Sequence, residues 1–254
     1  MIWLNGDLVP EIEAKISALD SAVLTGEGVF ETLRAWNGQP YALSRHYERL
    51  RKGAAKFGLT VPEKPTLHDA LLAVADKKNV RLRITLTGGG NCIINAAPLP
   101  DYSAPATISI SDHIINERSL LAGIKFTSYA ANRLVLAEAK AAGADEALMA
   151  NTQGHLCEGT TSNIFCVRED RVITPPLTSG CLPGVTRALV IKLCQKLDVP
   201  CEERDISKKE IASFDELFLT SSLRDIQPVG EGEKPATQFL RQHLLNWREE
   251  EIDP

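Results

Sequence analysis

The chain has no cysteines spaced as a CxxC pair and no compact cysteine framework: Cys92, Cys157, Cys166, Cys181, Cys194 and Cys201 are scattered along it. Neither a zinc site nor a disulfide scaffold is indicated, and most of these residues are expected to be small buried hydrophobes. No uninterrupted apolar run approaches the ~20 residues of a membrane helix, and no basic segment leads into an apolar one at the N-terminus. A soluble, cytoplasmic protein is expected. Runs of lysine or arginine are missing too. The formal net charge is −5 with both signs interspersed, which argues against the electrostatic footprint of a nucleic-acid or membrane-surface binder. Internal repeats and low-complexity tracts are also absent. What is present, 44% hydrophobic and 24% charged residues over 254 positions, can bury one large core or two modest ones, and small-molecule chemistry is the default expectation.

Strand-like and helix-like text alternate along the first part. Trp3 and Leu4 precede an Asn5-Gly6 turn, and Val29 to Trp36 reads as a strand ending in a hairpin at Asn37-Gly38. Ser44 to Gly58 reads as a helix capped by Ser44 and stopped by Gly58, and a second helix is expected around Thr66 to Lys77. In Val80 to Thr87, Val80, Leu82, Ile84 and Leu86 alternate with Arg81, Arg83, Thr85 and Thr87, the mark of a strand with one apolar face. Gly88-Gly89-Gly90 lacks a following helix or phosphate-binding lysine and reads as a turn. A strand near Thr107 to Asp112 precedes a polar connecting segment. Beyond it the pattern predicts helices over Tyr129 to Ala142, Thr186 to Leu197 and Thr237 to Glu250. Strands are expected at Glu146 to Ala150, Asn163 to Arg168, Val172 to Thr174 and Glu216 to Thr220. Strands and helices in two unequal blocks imply an α+β (mixed α/β) architecture, with domains at 1–115 and 123–254 and a linker at 116–122.

Several residues carry chemistry. Lys125 lies in the apolar stretch Gly123-Ile124-Lys125-Phe126, where an ammonium is costly unless it is paired, used, or reaches solvent from a strand end. A lysine with a lowered pKa can attack a carbonyl and later move a proton. Gly184-Val185-Thr186-Arg187 opens a helix, so its amides can face an anion and Thr186 can add a hydroxyl; a plain capped helix reads the same way. On the strand after Gly28, Phe30, Thr32 and Arg34 share one face while Glu31 and Leu33 share the other.

These blocks occur in a telling order. Gly26-Glu27-Gly28-Val29-Phe30-Glu31-Thr32-Leu33-Arg34 and His46-Tyr47-Glu48-Arg49-Leu50 come first, then Lys125 and Gly143-Ala144-Asp145-Glu146-Ala147. Glu158-Gly159 with Ser162-Asn163-Ile164-Phe165 follows, then Leu182 to Arg187 and Thr220 to Val229. Nearly the whole chain resembles the fold-type IV pyridoxal-phosphate enzymes, which include branched-chain and D-amino-acid aminotransferases and 4-amino-4-deoxychorismate lyase. The resemblance implies a small N-terminal α/β domain, a larger C-terminal domain with a β-barrel-like core, and pyridoxal 5'-phosphate held in the cleft between them.

By the same resemblance, Lys125 forms the Schiff base and shuttles the proton, and Glu158 keeps the cofactor's ring nitrogen protonated. Glu158 otherwise reads as a solvent-facing strand residue. Arg49, the Val185 and Thr186 amides and Ser222 form the phosphate cup, and Leu182 packs on the ring face. Phe30, Thr32, Arg34, Tyr129 and Leu223 are the expected substrate-side residues. Arg34 is the first candidate for a substrate carboxylate, with Arg224 and Arg83 as reserves. The chain departs from the D-amino-acid enzymes in having Thr87 where they carry an arginine before the turn glycine. GEG also replaces the usual GDG.

An aminotransferase acting between an amino acid or amine and a 2-oxo acid is the expected activity. Thr32 keeps the lyase, which releases pyruvate and 4-aminobenzoate, as the alternative. A non-catalytic pyridoxal-phosphate-binding regulator is a third, minor one. Relatives of this kind imply a homodimer, with no nucleic-acid, membrane or metal partner.

Overall fold

The computed structural model describes residues 1–232 and 234–254. Their contacts divide the chain into two compact units, one of Met1–Pro100, Ile124–Tyr129 and Glu250–Pro254, the other of Asp101–Gly123 and Ala130–Glu249. The chain thus leaves the first unit near residue 100 and not in the expected 116–122 segment, and the stretch carrying Lys125 belongs to the first unit. Backbone pairing is the reason: Phe30 N–H donates to the Lys125 carbonyl and Thr127 N–H to the Gly28 carbonyl, each at 2.9 Å. Lys125 therefore sits in an extended segment with a single bridge, Val29 to Phe126, and not in a full strand.

The first unit is built from β1 (Ile2–Leu4), β2 (Asp7–Val9), α1 (Ser21–Leu24), β3 (Gly28–Trp36), β4 (Gln39–Pro40), α2 (Leu43–Lys56), α3 (Lys64–Ala75), β5 (Val80–Thr87) and β6 (Cys92–Pro98). The strands form one sheet in the order β2-β1-β6-β5-β3-β4, antiparallel throughout. Asn5-Gly6 and Asn37-Gly38 hold positive φ at both residues, the geometry that matches a two-residue hairpin turn to strand twist. The alternation in β5 is realised: Leu82, Ile84 and Leu86 are buried with Leu33, Leu50, Leu67, Leu71 and Ile94 in one core beneath α2 and α3. Each such side chain contributes about 2 kcal/mol. The other face of β3 and β5 carries Phe30, Thr32 and Arg34 beside Thr85, Arg83 and Arg81 in direct cross-strand pairs. Gly28 is required at the start of β3, because a Cβ there would lie 2.6 Å from the Leu86 carbonyl oxygen.

Helix α2 does not begin as expected. Ala42, with φ 55°, occupies the cap, and its N–H donates to the Ile252 carbonyl at 2.8 Å. Ser44 instead donates through its N–H and hydroxyl to the Asp253 carboxylate at 2.8 and 2.5 Å. Gly58, with φ 64°, does end it. The triple glycine is a turn, as expected, and Gly89 N–H donates to the buried Asp20 carboxylate at 3.1 Å.

The second unit comprises β7 (Ile108–Ile115), α4 (Ala130–Ala141), β8 (Glu146–Asn151), β9 (Leu156–Gly159), β10 (Asn163–Arg168), β11 (Arg171–Thr174), α5 (Val185–Lys196), β12 (Cys201–Glu203), β13 (Glu216–Ser221), β14 (Asp225–Pro228) and α6 (Pro235–Glu250). Its sheets run β12-β11-β10-β13-β14 and β7-β8-β9. Isolated bridges from Ala106 to Val229 and from His155 to Ser207 join the sheets at both margins. They close the circuit into the expected barrel-like core and leave few open edges. Phe165 and Phe218, a cross-strand pair on β10 and β13, stack at 4.9 Å inside it. Five of the six cysteines are buried and all are free. No helix among the described residues is long and apolar enough to cross a membrane.

Candidate active site

In the first unit the functional side chains gather on two faces of β3. Because successive residues alternate, Phe30 turns toward Lys125. The Lys125 ammonium lies 4.4 Å from the Phe30 ring centre and 5.4 Å from that of Tyr129. The two rings meet edge to face at 5.4 Å. The Arg83 guanidinium lies over the same Phe30 ring at 3.8 Å, and its Nε donates to Thr85 at 3.0 Å. Arg83 faces Thr32 directly across the sheet, and Arg81 faces Arg34. Among the described residues neither Arg81 nor Arg83 has a carboxylate within ion-pair distance. Burial, then Arg81, makes Arg83 a weaker base than usual. Arg34 is buried at 8% exposure.

The opposite face of β3 presents Glu31 to α2. Its carboxylate is fully buried and accepts from Arg49 through both Nε and Nη2, each at 2.7 Å, while His46 Nδ1 lies 2.7 Å from Oε2. Burial by itself would raise the Glu31 pKa, but the Arg49 and His46 contacts outweigh it and hold the carboxyl far below the usual range. Burial also lowers the His46 pKa, against the opposing pull of Glu31.

In the second unit Glu158, near the end of β9, accepts from the Leu182 N–H at 2.9 Å and lies 3.4 Å from Asn163 Nδ2. Asn163 Nδ2 also donates to the Leu182 carbonyl at 2.9 Å. Gly184 is required here: a Cβ would overlap Asn163 Oδ1 at 1.9 Å. Gly184 caps α5 and, having no side chain, makes no side-chain cap bond, and the first turn, with Val185 and Thr186 buried, holds no acid. Such a start favours an anion. Ser222 and Leu223 are half-buried in the turn between β13 and β14.

Arg224, in that same turn, is committed elsewhere. It donates to Gln227 at 2.6 Å and to Glu146 at 3.0 Å, and stacks on Tyr102 at 4.3 Å. The Glu146 carboxylate, with no exposure, also accepts from Thr160 N–H at 2.9 Å, from the Thr160 hydroxyl, from Thr161 Oγ1 at 2.8 Å and from Ser162 Oγ at 3.0 Å. Sequence reasoning assigns no role to Glu31, His46, Glu146 or Asn163. The one available signal is acids written into otherwise apolar strands.

Taken unit by unit, a carboxylate held by a backbone N–H and a helix start without acids suit an anionic, aromatic group in the second unit, and a lysine set against two aromatic rings suits amine chemistry on a carbonyl in the first. Residues 28–231 match the class IV aminotransferase family. A Methanocaldococcus jannaschii protein assigned as a branched-chain-amino-acid aminotransferase is 32% identical, the match covering 91% of this chain and 87% of that one. The crystal structure of branched-chain aminotransferase from Thermoproteus uzoniensis superposes with a TM-score of 0.91 at 30% identity, over 96% of this chain and 93% of that one. A Legionella pneumophila protein assigned as a 4-amino-4-deoxychorismate lyase superposes with 0.86 at 26% identity, over 94% and 97%. The chain belongs to the class IV aminotransferase family. Its members are pyridoxal-phosphate enzymes of fold type IV, and the cofactor of this chain is pyridoxal 5'-phosphate.

Proposed function

We propose that this protein is an aminotransferase that moves an amino group between an amino acid and a 2-oxo acid, with Lys125 as its catalytic residue. The bound cofactor supplies an electrophilic carbonyl and an electron sink for the substrate's Cα electrons. Lys125 would hold the cofactor through its amine and would move the proton at the substrate's Cα; that amine, held over Phe30 and Tyr129, carries this reading. Glu158 keeps the ring nitrogen protonated, and its two anchoring contacts support that task. Arg49, Val185, Thr186 and Ser222 take the phosphate, and Leu182 packs on the ring. Arg83 is better suited than Arg34 to a substrate carboxylate, because it is half-buried, has no acid partner among the described residues and leans on the same ring as Lys125. Phe30, Thr32, Tyr129 and Leu223 line the substrate side, and the apolar rings suit a branched-chain side chain. The protein acts in the cytoplasm as a homodimer.

The lyase reading keeps support from the likeness to the Legionella protein and from Thr32 opposite Arg83. One assay separates the two. Cofactor-loaded protein is given L- or D-amino acids with a 2-oxo acid, and aminodeoxychorismate in parallel. A new amino acid, formed in step with loss of the donor, is the expected product; pyruvate from aminodeoxychorismate alone would replace the aminotransferase reading with the lyase.

A further inference from the structure

We infer that Glu31 is a positioning residue for the cofactor phosphate: it locks the Arg49 guanidinium in the one orientation that serves an anion. The inference rests on the reading of Arg49 as a phosphate ligand. An arginine on a helix has four rotatable side-chain bonds and by default reaches toward water. Arg49 does not, since its side chain is only 12% exposed and the fork formed by Nε and Nη2 is spent on Glu31. A two-point fork fixes the guanidinium plane as well as its position. His46, one helical turn earlier, closes the far side of the carboxylate, so Glu31 cannot swing away without losing three charge-assisted or buried contacts.

Stability alone does not explain the arrangement. Two buried charges cost more in lost hydration than an apolar pair of equal volume would. The arrangement makes sense if orientation is what it provides. Strand β3 then sets two functional groups at once: Phe30 faces Lys125 on one side and Glu31 grips Arg49 on the other.

The test is equilibrium titration of the full-length apoprotein with pyridoxal phosphate and, separately, with pyridoxal, which lacks the phosphate. For each variant the readout is the ratio of the two dissociation constants. Glu31→Gln should cut the preference for the phosphorylated form about tenfold, the scale of a hydrogen bond to a charged group, with pyridoxal affinity unchanged. Arg49→Ala should cut it at least as far, and adding Glu31→Gln to Arg49→Ala should cut it no further. Glu31→Asp, which keeps the charge with a shorter reach, should fall between and stands in if the glutamine variant does not fold. If Arg49→Ala loses the preference while Glu31→Gln and Glu31→Asp keep it, Glu31 has no such role although Arg49 binds phosphate. If Glu31→Gln weakens both ligands equally, Glu31 is merely structural and the inference fails. If Arg49→Ala keeps the preference, Arg49 is not a phosphate ligand, and both readings fall.

Discussion

Arg83 and Lys125 lean on one phenylalanine ring at 3.8 and 4.4 Å, so a group held at the lysine lies within reach of the arginine. Replacing Arg83 by Gln should raise the KM for the amino acid by about 10- to 100-fold while kcat changes much less, the pattern of a lost charge-assisted bond to the bound substrate. Arg34→Gln, at a buried site, should affect thermal stability more than KM. Steady-state kinetics and melting curves on both variants check this, and a larger KM effect at Arg34 would reverse the assignment. Strand alternation makes the shared face of Phe30, Thr32 and Arg34 legible in the sequence itself, and likewise the polar face of β5 that holds Arg83. It does not reveal that the two faces form one row, because cross-strand register depends on residues some fifty positions apart. The partnership of Glu31 with Arg49 is hidden for the same reason: a helix has to dock on a strand to create it.

At the scale of elements, Glu146 ties the start of β8 to the turn after β9 and, through Arg224, to the turn between β13 and β14. Those turns carry or adjoin Glu158, Ser222 and Leu223. Glu146→Gln leaves the Arg224 guanidinium buried without its counter-charge, and breaking a buried pair in this way costs about 3–5 kcal/mol. Chemical denaturation should show that loss; a change below about 1 kcal/mol would mean that water or a neighbour replaces the carboxylate. Long periodic elements are well marked in the sequence, and β5 and β10 have the expected bounds. Strands β9, β12 and β14, of three or four residues, are not, because so short a strand exists only through pairing with its neighbours. The cap of α2 has no local signature because its partners, Ile252 and Asp253, lie some two hundred residues away.

For the molecule as a whole, closure of eight strands through two single bridges gives the second unit a barrel-like core that fixes β9, β10 and β13 as a platform for Glu158, Asn163 and the Ser222 turn. In the first unit, Lys125 lies in a segment stitched to β3. The expected boundary at 116–122 misses this, because hydrophobic periodicity cannot tell that six residues beyond a crossover return to pair with an earlier strand. Family membership follows from blocks spread along nearly the whole chain, and the match over residues 28–231 agrees with it. The central claim is that the cofactor is carried on Lys125. Its most direct test is borohydride reduction of the cofactor-loaded protein, followed by proteolysis and mass spectrometry, with Lys125→Ala in parallel. The account predicts one phosphopyridoxyl group on the peptide containing Lys125, and a folded Lys125→Ala variant with neither label nor turnover. A label on another lysine, or turnover retained by Lys125→Ala, would contradict it.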